Sequence, residues 1–397
     1  MKHETLATVD LGSNSFHLQI GRVVEEQIYL FDTLREPVRL GAGLTRDKLL
    51  DRPTQARALE ALGRFAERLH GFRKGAVRAI GTNALRIAKN ADQFLAEAEQ
   101  TLGFPIEVVF GREEARLIYL GVSHLLPPSN ERRLVVDVGG GSTEFVIGTG
   151  FEPELMESIP MGCVSSTLKY FPDGAIDKHS FRKAVLAAAN ELERLVNLFL
   201  RTGWKEAYAS SGTAKTIATI LASQGWADHG ITAKGLAKLR AHLIKAGDVR
   251  KLKLRRLKED RATVLPGGAA ILTAVIEQLD LERIEVSQGA LRDGVLYDLL
   301  GRERRRDLRD ATVQQFQNLS LGSPDWPLIF ALRLATLLCR SRTPAPFPPI
   351  ACGATASGFK VALPRRWLDH HPLTAAALEN DAEEWRLAGF RIDLQRR

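Results

Sequence analysis

Cysteine is scarce in this sequence. Its three residues, Cys163, Cys339 and Cys352, lie far apart with no ligand-like spacing. That excludes a disulfide-stapled scaffold and a cysteine zinc site, and it fits a reducing compartment. Long hydrophobic runs are missing too. The longest apolar stretch, Trp326 to Cys339, is interrupted by Pro327 and Arg333 and is well short of the roughly 20 residues that span a bilayer. The first ten residues contain no apolar run of signal-peptide length. A cytoplasmic location with no membrane partner is therefore expected. There is no Gly-x-Ser-x-Gly elbow, and the histidines lack recognisable partners, so a Ser-His-Asp hydrolase is not supported. His17 reads as a packed or surface residue.

The 397 residues are enough for two or three domains, and 45% hydrophobic with 26% charged residues is the profile of a globular enzyme. The net charge of +8 favours polyanions. The excess is concentrated between Lys234 and Arg261, where eleven Lys and Arg residues face only Asp248, Glu259 and Asp260, and again from Arg302 to Arg309. A single run of this kind is usually a solvated helical face. Two such runs beside phosphate-type loops point to a polyanion track.

The most informative feature is an internal repeat. Ala7 to Gly21 lines up with Leu134 to Gly148. Each copy is an apolar strand ending in an acid (Asp10, Asp137), a turn of glycine and small polar residues, and a second strand. The pattern predicts two β-hairpins whose tips expose backbone N–H groups toward one cleft. Helical periodicity follows at Thr54 to His70 and Phe181 to Leu200, and strands read at Ala76–Ile80, Ile106–Phe110, Glu206–Ala209 and Arg283–Val286. The expected architecture is α/β: a first lobe over 1–124, a second over 125–301, a helical linker over 302–325 and a small α/β domain over 326–397.

Phosphate requires N–H donors, positive charge and close backbone approach. The tips Gly12, Ser13, Asn14, Ser15 and Gly139, Gly140, Gly141, Ser142, Thr143 supply the donors. Two strand-to-helix turns add more: Thr82 and Asn83, with Arg86 one turn further on, and Ser211, Gly212 and Thr213. Asp137 and Glu144 flank the second tip and face each other across the hairpin. Converging carboxylates beside phosphate donors suit Mg²⁺, which takes few protein ligands. Asp10 faces His17 instead of an acid, so a turn-capping role and a metal role weigh equally there. Phosphoanhydride hydrolysis also needs a carboxylate to orient or deprotonate water. Glu113 and Glu114, opening the helix after Phe110-Gly111-Arg112, are the candidates, and spacing does not choose between them.

These motifs, with Met161-Gly162-Cys163-Val164-Ser165 and Ser287-Gln288-Gly289-Ala290-Leu291-Arg292-Asp293-Gly294 in the same order, make the chain resemble the exopolyphosphatase/guanosine pentaphosphate phosphohydrolases from residue 5 to about 305. The resemblance implies two duplicated actin/RNase H-like lobes around a cleft and release of terminal orthophosphate. It also implies dependence on Mg²⁺ (or Mn²⁺) and a homodimer. It selects Glu114 as the catalytic acid, gives Asp137 and Glu144 the metal and gives Arg86 a phosphate role. The expected partner is inorganic polyphosphate, with guanosine pentaphosphate as the alternative, and not nucleic acid. After Arg309 the pattern departs from longer members, which carry an HD-like helical domain before a small last domain resembling Trp326 to Gln395 here. Without that domain a distributive attack on long chains is expected.

Two rivals remain. A kinase or chaperone-type ATPase would need a nucleoside pocket, for which Leu265-Pro266-Gly267-Gly268-Ala269-Ala270 is the candidate wall. A non-catalytic polyphosphate-binding regulator would have no use for Glu114, Asp137 and Glu144 beside an anionic ligand.

Overall fold

The computed structural model describes residues 5–24, 27–301, 326–338, 350–355, 357–370, 372–387 and 389–396. The basic run from Arg302 to Arg309 and the linker over 302–325 lie outside them. The chain divides into two compact units, Met1–Asp307 and Leu308–Arg397.

The first unit contains strands β1 (Thr5–Leu11), β2 (Phe16–Val24), β3 (Gln27–Glu36), β4 (Val77–Gly81), β5 (Ile106–Val108), β6 (Arg132–Val138), β7 (Thr143–Thr149), β8 (Glu152–Ile159), β9 (Glu206–Ser210), β10 (Ile231–Thr232) and β11 (Arg283–Val286). Its helices are α1 (Arg52–Arg68), α2 (Asn83–Ile87), α3 (Ala91–Leu102), α4 (Gly111–His124), α5 (Cys163–Tyr170), α6 (Lys178–Thr202), α7 (Ser211–Ser223), α8 (Ala233–Ala246), α9 (Glu259–Ala262) and α10 (Leu265–Gln278). Residues 291–301 form a further helix, α11.

The repeat in the sequence is a repeat in the topology. One sheet runs β3-β2-β1-β4-β5 and the other β10-β11-β9-β6-β7-β8. In each, an antiparallel three-stranded meander continues into parallel strands, β1 to β4 and β5, or β6 to β9 and β11. The registers match as well: Asp10 pairs with His17 in the first hairpin and Asp137 with Glu144 in the second. β1 and β6 are central strands buried on both faces, which is why they read as unbroken apolar runs and not as alternating ones.

Local signals set the flanking helices. Asp51 caps α1 by accepting from Thr54 N at 2.7 Å, and Asp177 caps α6 through His179 N and Ser180 N. α1 buries Ala58, Ala61, Leu62 and Phe65; α6 buries Phe181, Val185, Leu192 and Phe199. α10 is buried along Leu265 to Ile276, as a helix apolar all round must be. This corrects the reading of Leu265–Ala270 as a nucleoside-pocket wall. A Cβ on Gly267 would lie 2.5 Å from Cys163 O, and one on Gly268 would lie 2.3 Å from Thr213 Cγ2. Those glycines let α10 pack against α5 and α7, and no free face is left for a base.

The two lobes are joined by α4 and α11. α4 follows β5 of the first sheet yet packs on β7 and β8 of the second. α11 packs Leu296, Leu299 and Leu300 against Leu6 and Ala76 of the first lobe. A shared cluster then unites Ile80, Leu117, Ile118, Val135, Val146 and Val295. The two helices cross backbone to backbone: a Cβ on Gly294 would sit 1.7 Å from Leu117 O, and one on Gly121 would sit 2.2 Å from Ala290 O.

The second unit is built on its own core. Its sheet runs β12 (Ala351–Thr355), β13 (Gly358–Leu363), β14 (Arg391–Arg396), with β13 and β14 parallel. Helices α12 (Trp326–Leu338), α13 (Arg365–His370) and α14 (Pro372–Leu387) complete it. Phe330 stacks on Phe359 at 4.2 Å beside Trp385. Among the described residues no helix is long and apolar enough to cross a membrane.

Gly294→Ala should lower stability by about 1–3 kcal/mol or more, because the added methyl meets backbone that cannot rotate away. Gly63→Ala, inside α1 with nothing within 4 Å of the new methyl, should raise it by roughly 0.5–1 kcal/mol. Urea midpoints check both; a neutral Gly294→Ala would mean that α4 and α11 are not in backbone contact.

Candidate active site

The hairpin tips meet at the cleft. A Cβ on Gly140 would fall 2.8 Å from Ser13 Cβ, and one on Gly141 would fall 2.2 Å from Asn83 Oδ1. The tips Gly12–Ser15 and Gly139–Thr143 and the turn at Thr82 and Asn83 are thus in contact. The second tip is held from behind by the start of α5: Cys163 N donates to Gly139 O and Val164 N to Gly140 O, both at 2.9 Å. Gly162 is required at that junction, since a Cβ there would overlap the Gly140 carbonyl at 2.3 Å. Among the described residues no backbone carbonyl accepts from the N–H of Ser13, Asn14, Ser15, Gly140, Gly141 or Ser142. These donors suit an anion.

Ser211 and Gly212 open α7 beside the second tip, because Ser210 pairs with Asp137 across β9 and β6. Ser211 has φ 91, in the left-handed region that a side chain disfavours. Two expected phosphate ligands turn their side chains inward instead. Thr143 Oγ1 donates to Met161 O at 2.6 Å, while Thr213 packs its methyl toward Gly268 and bonds Cys163. Their hydroxyls serve the core, so only their backbone remains for a ligand.

Four carboxylates gather below the tips. Asp10 ends β1, Asp137 and Glu144 face each other across β6 and β7, and Glu114 lies in the first turns of α4. Burial separates the two residues between which spacing did not choose. Glu114 is 6% exposed, whereas Glu113 turns away to pair with Arg116 at 2.8 Å. Each cleft acid is pushed upward. Burial raises Glu114 to about 7; the Arg86 guanidinium opposes this, and Asp10 and Asp137 add to it. Burial raises Asp10 to about 6, against the pull of Arg292. Glu144 is held well above its ordinary value by burial and by its neighbours Glu114 and Asp137. Asp137 is raised by burial and partly relieved by a hydrogen bond with Ser210.

This donor set fits a hard divalent cation. Asp10 Oδ1 is buried without a hydrogen-bond partner, and the remaining oxygens crowd like charge that a cation would neutralise. Among the described residues no three such side chains form a ready-made cage, in keeping with an ion that completes its shell with water and phosphate oxygens.

Cations surround the acids. Arg86 Nη1 donates to Glu114 Oε2 at 2.6 Å and to Val109 O at 2.8 Å. Arg292 lies 3.8 Å from Asp10, Lys215 Nζ donates to Gln288 O at 2.8 Å, and Arg35 Nη2 donates to Ser15 Oγ at 3.0 Å. The Arg261 guanidinium covers Gly212. Burial, with Arg292, Arg35, Arg261 and Lys215, lowers His17 to about 2. That imidazole is neutral and packed. Motif reasoning assigned no site role to Arg35, Lys215 or Arg292, and placed Arg261 only in the basic run read as a polyanion track. Lys215 stands one turn into α7 much as Arg86 does in α2, a parallel legible in the sequence. Arg35 lies in an unremarkable strand and carries no such signal.

A family model described as "Ppx/GppA phosphatase family" matches residues 19–303. A Haemophilus influenzae protein named "Putative exopolyphosphatase" is 39% identical over 308 residues, covering 78% of this chain and 95% of its own. A Vibrio campbellii protein named "Guanosine-5'-triphosphate,3'-diphosphate pyrophosphatase" is 38% identical over 312 residues, which are 79% of this chain and 62% of that protein. The solved structure of an exopolyphosphatase from Cytophaga hutchinsonii matches 75% of this chain and 98% of its own, at 25% identity and a TM-score of 0.68.

Asp10 and Glu114 hold protons more tightly folded than unfolded. The stability they contribute is full below their unfolded values of 3.8 and 4.5 and is lost as pH rises through about 6 and about 7. Asp10→Asn removes one of the crowded charges and keeps the volume. The melting temperature of this variant relative to wild type should therefore rise between pH 4 and pH 8. A difference that stays flat across that window would show that the acids do not repel one another in the folded protein.

Proposed function

The chain belongs to the Ppx/GppA phosphatase family and is accordingly a hydrolase of phosphoanhydrides; within that class we propose that it releases orthophosphate from the end of inorganic polyphosphate. The observation that carries this reading is Glu114, buried at the cleft with its pKa near neutrality and held by Arg86 against two tips of free N–H donors.

The terminal phosphate rests on the amides of Ser13 to Ser15 and Gly140 to Ser142, with Arg292, Lys215 and Arg261 balancing its charge. Glu114 accepts a proton from a water whose oxygen attacks the terminal phosphorus. The bond from that phosphorus to the bridging oxygen breaks, and its electron pair leaves on the shortened chain. A base with a pKa near 7 is half-ionised at neutral pH and well matched to this transfer. Asp137, Glu144 and Asp10 would hold Mg²⁺, which when bound neutralises charge on the phosphate oxygens. The Vibrio relative's name points to guanosine pentaphosphate as the rival substrate. A guanosine substrate would also need a nucleoside pocket, and the burial of Leu265–Ala270, the candidate wall for one, favours polyphosphate.

Purified protein with Mg²⁺ should release phosphate from polyphosphate faster than from guanosine pentaphosphate or ATP; a preference for either nucleotide would overturn the substrate assignment. Glu114→Gln should abolish turnover while binding persists. Retention of more than about a tenth of the rate, a loss under ~1.4 kcal/mol in barrier, would remove Glu114 from the base role. The wild-type rate should rise with pH through a midpoint of about 7, since the ionised form is the active one.

Asp137→Ala and Glu144→Ala should each raise the Mg²⁺ concentration giving half-maximal rate, and weaken the rise in melting temperature on adding Mg²⁺. Unchanged titrations in both variants would rule these acids out as the metal's ligands.

A further inference from the structure

Outside the cleft, a bonded cluster of charge lies where the lobes are joined. Asp298, on α11, has a side chain 5% exposed and divides its two oxygens between two guanidinium groups. Oδ2 accepts from Arg78 Nη1 at 2.8 Å, and Oδ1 accepts from Arg116 Nη2 at 2.7 Å. Arg78 belongs to β4 and also binds Glu107 of β5 through Nε and Nη2, at 3.1 and 2.9 Å. Arg116 belongs to α4 and grips Glu113 with both nitrogens at 2.8 Å. One buried carboxylate thus ties together three elements that are remote in sequence.

Two of those elements carry the pair at the centre of the site. β4 runs directly into Thr82 and α2, which place Arg86; α4 places Glu114, the residue next to Glu113. The Arg86–Glu114 bond spans two elements of different parentage, and its geometry depends on how β4 and α4 are held relative to each other. Packing sets that relation coarsely through Ile80, Leu117 and Val295. Apolar contacts are not directional, whereas charge-assisted bonds of buried arginines are.

We propose that Asp298 is a positioning residue for hydrolysis: by bridging Arg78 and Arg116 it fixes β4 against α4 and so sets the Arg86–Glu114 geometry. This rests on the reading of Glu114 as the base. Arg78 itself pairs with Thr8 of β1, but the side-chain bonds of the network end at Glu107, Glu113 and Asp298, and none reaches a residue of the hairpin tips proposed to hold the phosphate. Loss of the bridge should therefore act on the chemical step and not on substrate binding.

The test compares Asp298→Asn and Arg116→Met with Glu206→Gln. Arg116 is partly exposed and its loss leaves Asp298 paired with Arg78, so Arg116→Met serves as the second variant should Asp298→Asn fail to fold. Glu206 pairs with the buried Arg133 at 2.6 Å, four residues before Ser210 and away from the site, and controls for lost stability. Both network variants should lower kcat about tenfold or more with KM within about twofold, and the double variant should lose little beyond either single one. Glu206→Gln should destabilise with kcat unchanged. If the network variants keep kcat within twofold of wild type, or if Glu206→Gln loses kcat equally, Asp298 has no positioning role. If wild type releases no phosphate from any of the three substrates, the functional reading fails by itself. Amide exchange then decides the positioning claim. Faster exchange at 82–87 and 111–118 in Asp298→Asn but not in Glu206→Gln supports it, and equal exchange overturns it.

Discussion

Four acids are buried within one another's fields where the two hairpin tips meet, and most of the surrounding structure answers to that crowding. A buried, unpaired carboxylate is so unfavourable that it normally takes up a proton, as the raised pKa values of Asp10, Glu114 and Glu144 show. Such a cluster persists only where something else over-determines it. Arg86 and Arg292 bond or face two of the acids directly. Ser158 donates to Glu144 at 2.8 Å, and the Ser210 hydroxyl lies against Asp137 and lowers its pKa. The arrangement suits a site that must attract a polyanion and ionise water at the same place, because cations alone would bind phosphate without activating anything beside it.

Duplication provides the scaffold, and a single asymmetry in it divides the labour. Both hairpins end their first strand in Asp at the same register. Opposite that Asp stands Glu144 in one copy and His17 in the other. Two acids across one hairpin are the donors proposed for a cation. Asp10 gains no such partner, and His17 adds no charge because its cationic neighbours and its burial keep it neutral. Two lobes of one design therefore present unlike faces to a single cleft.

How much of this was legible follows from the range of the interactions involved. The hairpins, α1, α6 and the strands around the cleft were readable because hydrophobic period, caps and turns are local. Glu114 could not be separated from Glu113 by spacing, since adjacent residues at a helix start differ only in what the rest of the fold puts opposite them. The resemblance chose between them, and the structure buries Glu114 while Glu113 pairs with Arg116. Arg35 was invisible for the same reason: it reaches Asp260 across 225 residues of chain. Thr143 and Thr213 keep only their backbone for a phosphate. Small hydroxyl residues beside glycines mark phosphate loops, but the same residues also satisfy buried carbonyls, and here they do. Leu265–Ala270 misled in the opposite sense, for glycines that admit a ligand and glycines that admit a neighbouring helix look alike in sequence.

The cations fall into two populations with different physics. Arg86, Arg292, Arg261 and Lys215 are partly or largely buried at the cleft, where water is excluded and charge interactions are little screened. Lys251, Lys253, Arg255, Arg256 and Lys258 are exposed, so their pull on a polyanion fades over about 8–10 Å at ordinary ionic strength. The segment that carries them ends at Arg261, over Gly212. Its exposed cations can raise the local concentration of long chains, since each added phosphate offers another contact, but they cannot discriminate at the scissile bond. The buried group stands at the cleft itself, with Arg292 at the start of α11 beside Asp10 and Lys215 one turn into α7. Salt can silence the exposed surface, whereas it scarcely reaches the buried cations.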